Sequence, residues 1–180
     1  MVWTAPQTAV AGQFTAALFN THIRDNLNML APALATTVGG YFVSTAANTL
    51  AQRTRGQSSI TAEDSTASTT YVNLPGGSGP AVTATTGTKV IVGLSFIGRN
   101  SGTGVNNRQW MSVAVSGATT TAASDVRACM MTQNAADQSQ RSGTWTMMTV
   151  TAGSNTFTGQ YRVTAGTGTF SSRNIIVIPL

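Results

Sequence analysis

Residues 155–164 read NTFTGQYRVT, and this stretch shows most clearly how the chain folds. Apolar or small residues alternate here with polar ones: Phe157, Gly159, Tyr161 and Val163 against Thr158, Gln160 and Arg162. Successive side chains of a β-strand point to opposite faces, so one face would meet a core and the other would meet water. The stretch therefore predicts a half-buried strand.

Seven further segments read as short strands. They are residues 69–74, 81–85, 88–98, 108–116, 125–132, 144–150 and 169–178. Glycine-rich turn sequences such as PGGSGP and TAGTGT separate them, and β-branched residues suit a pleated surface. Eight short strands at this spacing predict a mainly β chain that forms an eight-stranded antiparallel β-sandwich, jelly-roll-like.

The predicted core follows from the apolar side of each strand. It comprises Val72, Leu74, Val90, Val92, Leu94, Phe96, Met111, Val113, Val115, Met130, Met147, Phe157, Tyr161, Val163, Ile175 and Val177. The methionines are interpreted first as adaptable core filler and second as a subunit interface. Cys129 is interpreted as a small core residue rather than a reactive thiol.

Three regions are predicted along the chain. Residues 1–35 form an extended N-terminal arm and one short helix, residues 36–67 a linker with one or two short strands, and residues 68–180 the sandwich. The helix should begin after Thr15 and run to about Leu30, because Pro32 would stop it. Its apolar positions recur at heptad spacing, which predicts a narrow seam that packs on a partner chain or on the chain's own domain.

Ionisable residues are scarce. The chain carries 10 Lys and Arg, 5 Asp and Glu, one His and one Cys in 180 residues, with a net charge of +5. The arginines are scattered, whereas phosphate binding needs cations on one track, so no nucleic-acid function is expected. With a single cysteine, a disulfide within the chain is excluded.

The same scarcity argues against catalysis. His22 and Asp25 lie three residues apart on the predicted helix and are interpreted as a surface ion contact rather than part of a catalytic triad. We therefore expect no enzyme, no metal site and no cofactor. No signal peptide or membrane span is expected either.

Aromatic residues leave one binding option open. Trp110, Trp145, Tyr71 and Tyr161 could form a platform on which sugar rings stack, with the two tryptophans as the candidate glycan contacts. The alternative is that they are core or interface aromatics.

Trp3 to Leu30 reads WTAPQTAVAGQFTAALFNTHIRDNLNML and resembles the start of many small virion proteins of tailed bacteriophages. Those proteins begin with Trp-Thr-Ala-Pro and continue to an Asn-Thr-His-Arg-Asp-Asn-Leu helix. Ala9, where many relatives have a second Trp, and Gln13, where they have an acidic residue, depart from the pattern. Residues 41–53 and 154–180 are also similar to segments of phage fibres and small phage proteins, so the likeness covers about 40% of the chain.

The resemblance implies a structural virion protein. It would be a head decoration or head fibre whose N-terminal arm attaches to the capsid and whose sandwich projects outward. The alternative is a minor tail or baseplate fibre protein, with host-glycan binding as a further role. The expected location is the virion, on the capsid exterior rather than the tail, after synthesis in the host cytoplasm.

The implied partners are the major capsid protein or another virion protein, further copies of the chain in a homotrimer, and a host-surface polysaccharide. The residues expected to anchor the chain or to form the oligomer interface are Trp3, Pro6, Phe14, Phe19, Asn20, Ile23, Arg24, Asp25, Leu27 and Leu30.

Overall fold

The structure is a computed structural model that describes residues 15–27, 34–76, 79–102, 104, 107–133 and 135–180. The chain divides into two compact units, Met1–Thr54 and Arg55–Leu180, which we call the N-terminal unit and the sandwich unit. Within the described residues, no helix is long and apolar enough to cross a membrane.

A short helical run and a hairpin make up the described part of the N-terminal unit. The helical run consists of α1 (Ala16–Phe19), a π-helical turn (Asn20–Arg24) and α2 (Asp25–Leu27). The amide of Phe19 donates to the carbonyl of Thr15, so the helix begins where it was predicted to begin. Its predicted end at Leu30 lies outside the described residues.

The hairpin joins β1 (Tyr41–Ala46) to β2 (Thr49–Arg53) in antiparallel register. Asn48 makes the turn with a φ of 58°, a conformation that asparagine tolerates better than most residues. The Gln52 side chain ties the hairpin to the preceding segment, because its Oε1 accepts from Thr36 and its Nε2 donates to the Thr37 carbonyl. The strand predicted at the start of the linker therefore forms.

The sandwich unit contains nine strands in its described residues. They are β3 (Gly56–Ile60), β4 (Asp64–Thr66), β5 (Ala81–Thr86), β6 (Lys89–Asn100), β7 (Asn107–Gly117), β8 (Cys129–Gln133), β9 (Gln140–Thr149), β10 (Gly153–Val163) and β11 (Gly168–Pro179). A 3-10 turn, Asp125–Arg127, precedes β8.

The strands form two antiparallel sheets. The five-stranded sheet has the order β3-β11-β6-β9, with β4 also paired to β11, and the four-stranded sheet has the order β5-β10-β7-β8. The predicted fold class, a mainly β antiparallel sandwich of jelly-roll type, is confirmed.

Three details of the strand prediction were wrong, and the sandwich unit has nine strands among its described residues in place of the predicted eight. The strand predicted at 125–132 begins only at Cys129, because Asp125–Arg127 form the 3-10 turn. The stretch 69–74 forms no strand, and Val72 makes only an isolated bridge to Tyr161. The linker, for which one or two short strands were predicted, contains four, and its β3 and β4 both pair with β11. Their polar sequences, GQSSI and DST, gave no alternation to recognise, because an edge strand needs few apolar residues.

Between the sheets lies an apolar core centred on aromatic rings. The ring centroids of Phe96 and Phe170 are 5.2 Å apart and those of Tyr161 and Phe170 are 4.9 Å apart. Cys129 is buried as predicted. Most of the predicted core is confirmed, but Val72 is only half-buried. Met130 and Met147 were placed wrongly and are exposed by 43% and 62%, respectively.

The methionine error has a simple geometric cause. Met130 is followed by Met131, and Met147 is followed by Met148, so in each pair only one side chain can point to the core. In both pairs the second methionine is the buried one. The sequence motif carries no information on which of two identical neighbours faces inward.

Candidate functional site

The outer surface of the five-stranded sheet carries three rows of side chains. Each row takes one residue from β11, one from β6 and one from β9. The rows are Ile178, Ile91 and Met147; Ile176, Gly93 and Trp145; and Asn174, Ser95 and Gly143. We call these nine residues the Trp145 face. Two of its rows are apolar and the third is polar.

Trp145 lies flat across the centre of this face. A Cβ atom at Gly93 would stand 2.6 Å from Cζ3 of the Trp145 ring, so only glycine lets the indole rest on the strand. The Trp145 residue is nevertheless 60% exposed. Its ring is therefore supported from below and open above.

A shallow hollow of about 270 Å³ lies beside the ring. Gly143, Asn174 and Ile176 contribute to its lining, together with Trp145 itself. At the polar end, the Ser59 hydroxyl donates to Oδ1 of Asn174 at 2.9 Å. The hollow thus has an aromatic wall, an aliphatic wall and a fixed amide.

Charged residues lie around the border of this face. Arg127 lines a second hollow together with Met147 at the β9 edge. Lys89 precedes the Ile91 row, and Arg141 lies opposite Ile97 beyond the polar row. Farther along β6, Arg99 forms an ion pair with Glu63 at 2.9 Å. The Trp145 face itself contains no ionisable side chain.

Trp110 occupies a different environment on the four-stranded sheet. It is 6% exposed, and the guanidinium carbon of Arg162 lies 3.7 Å from the centroid of its ring. This arrangement is a cation–π contact, and it covers the ring. Trp110 and Trp145 therefore do not form a joint platform, and the predicted glycan contact has an open ring only at Trp145.

Arg162 also holds the segment that contains Asp125. Its Nε and Nη2 donate to the two carboxylate oxygens of Asp125 at 2.9 and 2.5 Å, and the Tyr71 hydroxyl donates to the same carboxylate at 2.7 Å. Hydrogen bonding from Arg162 lowers the pKa of Asp125, and that bond raises the pKa of Arg162. Burial and the bond to Asp125 raise the pKa of Tyr71. The cluster is a structural clamp with all three polar groups engaged.

Several predicted anchoring residues lie on the helical run. Ile23 and Leu27 are 38% and 56% exposed, Phe19 is also exposed, and the three are spaced by four residues. This spacing places them along one side of the run. Asn20 is half-buried. Trp3, Pro6, Phe14 and Leu30 lie outside the described residues.

The charged residues of the run pair differently from the prediction. Asp25 accepts a hydrogen bond from Nε of its neighbour Arg24 at 3.0 Å, and not from His22. The side chains of Arg24 and Asp25 are adjacent in sequence and still meet, because the arginine side chain is long enough to fold back to the carboxylate. Among the described residues, no group of three or more metal-ligating side chains comes together.

Gly93 belongs to the candidate site but was not among the residues predicted for it. Glycine in the interior of a strand often marks a close approach of another group, and Gly93 stands alone inside the apolar run KVIVGLSF. That signal was present, but the sequence could not show that Trp145 is the approaching group.

Comparisons with known proteins give no family. No family model matches the chain, and no curated protein matches it in sequence. Similar solved structures include Eiger TNF from S. frugiperda, at 10% identity and a TM-score of 0.48, covering 70% of this chain and 91% of that one. Infectious bursal disease virus Gx strain gives 11% identity and a TM-score of 0.43, covering 76% of this chain and 36% of that one.

A carbohydrate-binding module is similar as well. The family 35 module from Cellvibrio japonicus Abf62 has 14% identity and a TM-score of 0.33, and the match covers 71% of this chain and 95% of the module. These likenesses concern the fold and assign no activity.

Proposed function

We propose that this chain is a structural protein of a tailed-bacteriophage particle, in which the N-terminal segment attaches the chain and the sandwich projects outward as a homotrimer. The observation that carries the proposal is the apolar side of the helical run. Ile23 and Leu27 stay exposed there, within a sequence stretch that resembles the attaching segment of phage virion proteins. Exposed apolar side chains in a row favour a partner surface.

The head is the proposed site of attachment, with the major capsid protein or another virion protein as the partner. The one compact unit from Arg55 to Leu180 is a sandwich, which suits a decoration or a short head fibre. The second location is the tail or baseplate. Copy number separates the two, because capsid sites are far more numerous than tail sites.

The test measures incorporation into particles. Particles that lack the chain are mixed with the full-length protein, sedimented, and assayed by quantitative mass spectrometry. A copy number that scales with the capsid subunits supports the head, whereas one that matches the tail-fibre proteins supports the tail. Absence from the sedimented particles contradicts the proposal.

A pair of variants tests the helical run. Leu27→Arg places a charge on the exposed apolar side, and we expect particle occupancy to fall roughly tenfold or more, as for loss of an interface anchor. Thr21→Arg adds the same charge on the opposite side of the run and serves as the matched control. Equal occupancy of the two variants would contradict attachment through this side.

A second candidate function is host-polysaccharide binding, and the open ring of Trp145 favours it. An exposed indole beside a hollow with a fixed amide has the elements of a sugar-stacking site. Titration with host cell-wall polysaccharide should then change the Trp145 fluorescence, and the Trp145→Ala variant should show no such change. Sugar stacking and subunit contact would compete for this ring.

A further inference from the structure

We propose that the Trp145 face is the contact surface between copies of this chain. The proposal rests on the proposed homotrimeric assembly and assigns its interface. It places the contact on the five-stranded sheet and not on the four-stranded sheet. The alternative interface on the helical run is an outcome of the test.

The first argument is the apolar composition of the face. Ile178, Ile91 and Met147 stand side by side across three strands, and Ile176 and Trp145 continue the patch in the next row. These rows are contiguous, and the two largest side chains, Trp145 and Met147, are 60% and 62% exposed. A contiguous apolar patch with polar borders is typical of a protein interface.

The second argument is the distribution of charge. The centre of the face is neutral, while Lys89 and Arg141 lie at its two ends and Arg127 lies beside Met147 at the β9 edge. Two copies that each carry a net charge of +5 would repel if their cationic surfaces met. Contact through the Trp145 face keeps these cations at the rim in water and buries no charge.

The third argument is shape. Met147 is 62% exposed and stands in the row next to Trp145, whose flat ring lines the hollow of about 270 Å³ together with Gly143 and Ile176. A protrusion and a hollow on one face allow each copy to insert into the next. A head-to-tail contact forms a ring when its rotation closes, and a ring of three is what the proposed homotrimer requires.

The fourth argument is preorganisation. The indole already rests on Gly93, so it would lose little conformational freedom when a second copy covers it. Rigid aromatic anchors of this kind often supply most of the binding energy of an interface. A polysaccharide would use the same ring but would leave Met147, Ile91 and Ile178 uncovered.

The experiment compares the oligomeric mass of two methionine variants with that of the unmodified full-length protein. Met147→Lys puts a charge into the apolar row, and Met130→Lys puts the same charge on the outside of the four-stranded sheet. Both side chains are exposed, so neither change disturbs the core. Light scattering after size exclusion, over a dilution series, gives the mass of each.

We expect the unmodified chain and the Met130→Lys variant to be trimers. The Met147→Lys variant should dissociate at a protein concentration roughly 100-fold higher than the unmodified chain does, or be monomeric over the whole dilution series. Circular dichroism confirms that each variant is folded. Gly93→Val, which lifts the ring, should also weaken association. A monomeric unmodified chain, or an equal effect of both lysine substitutions, overturns the proposal.

Two further readouts separate this inference from the proposed function. If Leu27→Arg dissociates the trimer and Met147→Lys does not, the Trp145 face is overturned while self-assembly stands. If polysaccharide binds Trp145 without changing the mass of the trimer, the ring is open in the assembly and the proposal is again overturned. Failure of particle attachment alone, with a trimer sensitive to Met147→Lys, contradicts only the proposed function.

Discussion

Arg162 and Asp125 form a two-point ion pair that fastens the 3-10 turn to the outside of the four-stranded sheet. The same guanidinium stacks on Trp110, so one side chain joins a strand, a turn and an aromatic ring. Charge-assisted bidentate pairs are stronger and more specific than single hydrogen bonds. The side chain of Arg162 is 18% exposed and that of Asp125 is 56% exposed, so solvent screens this pair from the carboxylate side.

We predict that Arg162→Met lowers the free energy of unfolding by about 1–2 kcal/mol, because it removes both the ion pair and the cation–π contact. The matched control is Arg99→Met, whose ion pair with Glu63 is exposed at both partners and should cost less than about 0.5 kcal/mol. Urea denaturation measures both values. Equal losses of unfolding free energy in the two variants would show that the Arg162 cluster stabilises the fold no more than an exposed ion pair does.

Acid should weaken the same clamp. Arg162 lowers the pKa of Asp125 in the folded chain, so the folded state favours the ionised carboxylate. This contribution is present above the unfolded-state pKa of about 4, and it is lost as the pH falls through the lower folded-state pKa. Asp125→Asn should therefore be less stable than the unmodified chain at neutral pH, and the difference should shrink below about pH 4. A difference independent of pH would contradict the role of the ionised carboxylate.

The thiol of Cys129 should be unreactive in the folded protein. Burial raises its pKa to about 12, and Sγ donates to the Met111 carbonyl at 3.6 Å. The thiolate is the reactive form, and it is almost absent at neutral pH. We expect labelling by a disulfide reagent to follow the rate or extent of unfolding in urea. Rapid complete labelling without denaturant would place the thiol at the surface.

The sandwich unit should fold without the N-terminal unit. Every strand pair of its two sheets joins residues from Gly56 onward, so the fragment Arg55–Leu180 keeps the whole set. We expect this fragment to unfold cooperatively, with a midpoint within about 5 °C of the same transition in the full chain. Differential scanning calorimetry measures both. A fragment that aggregates or melts without cooperativity would contradict the division.

Strand periodicity predicted most of the sandwich, and the reason is visible in β10. Phe157, Tyr161 and Val163 are fully buried, as their alternation with polar residues indicated. The sequence did not reveal β3, because a polar edge strand pairs through its backbone and needs no apolar signal. The same limit applied to Trp110 and Trp145, since exposure depends on cross-strand neighbours that a linear pattern cannot identify.

Arg173 illustrates another limit of strand periodicity. It is a buried arginine whose guanidinium donates to the Ala62 carbonyl and lies 5.7 Å from the Tyr161 ring centroid. Alternation along a regular strand from Phe170 would point it outward. It points inward because the pairing of β11 with β6 shifts between Ser171 and Asn174.

That shift inserts one extra residue into β11, since three steps along this strand match two along β6. Ser172, with a φ of 45°, lies at the insertion. Beyond it, Ile175 and Val177 point to the core while Ile176 and Ile178 point away. If β11 instead continued in regular alternation through Ser172, with no insertion, these two sets would exchange and the pair now outside would face the core. A single inserted amino acid thus sets the phase of side-chain alternation in the second half of β11, and with it which isoleucines and valines are available to another molecule.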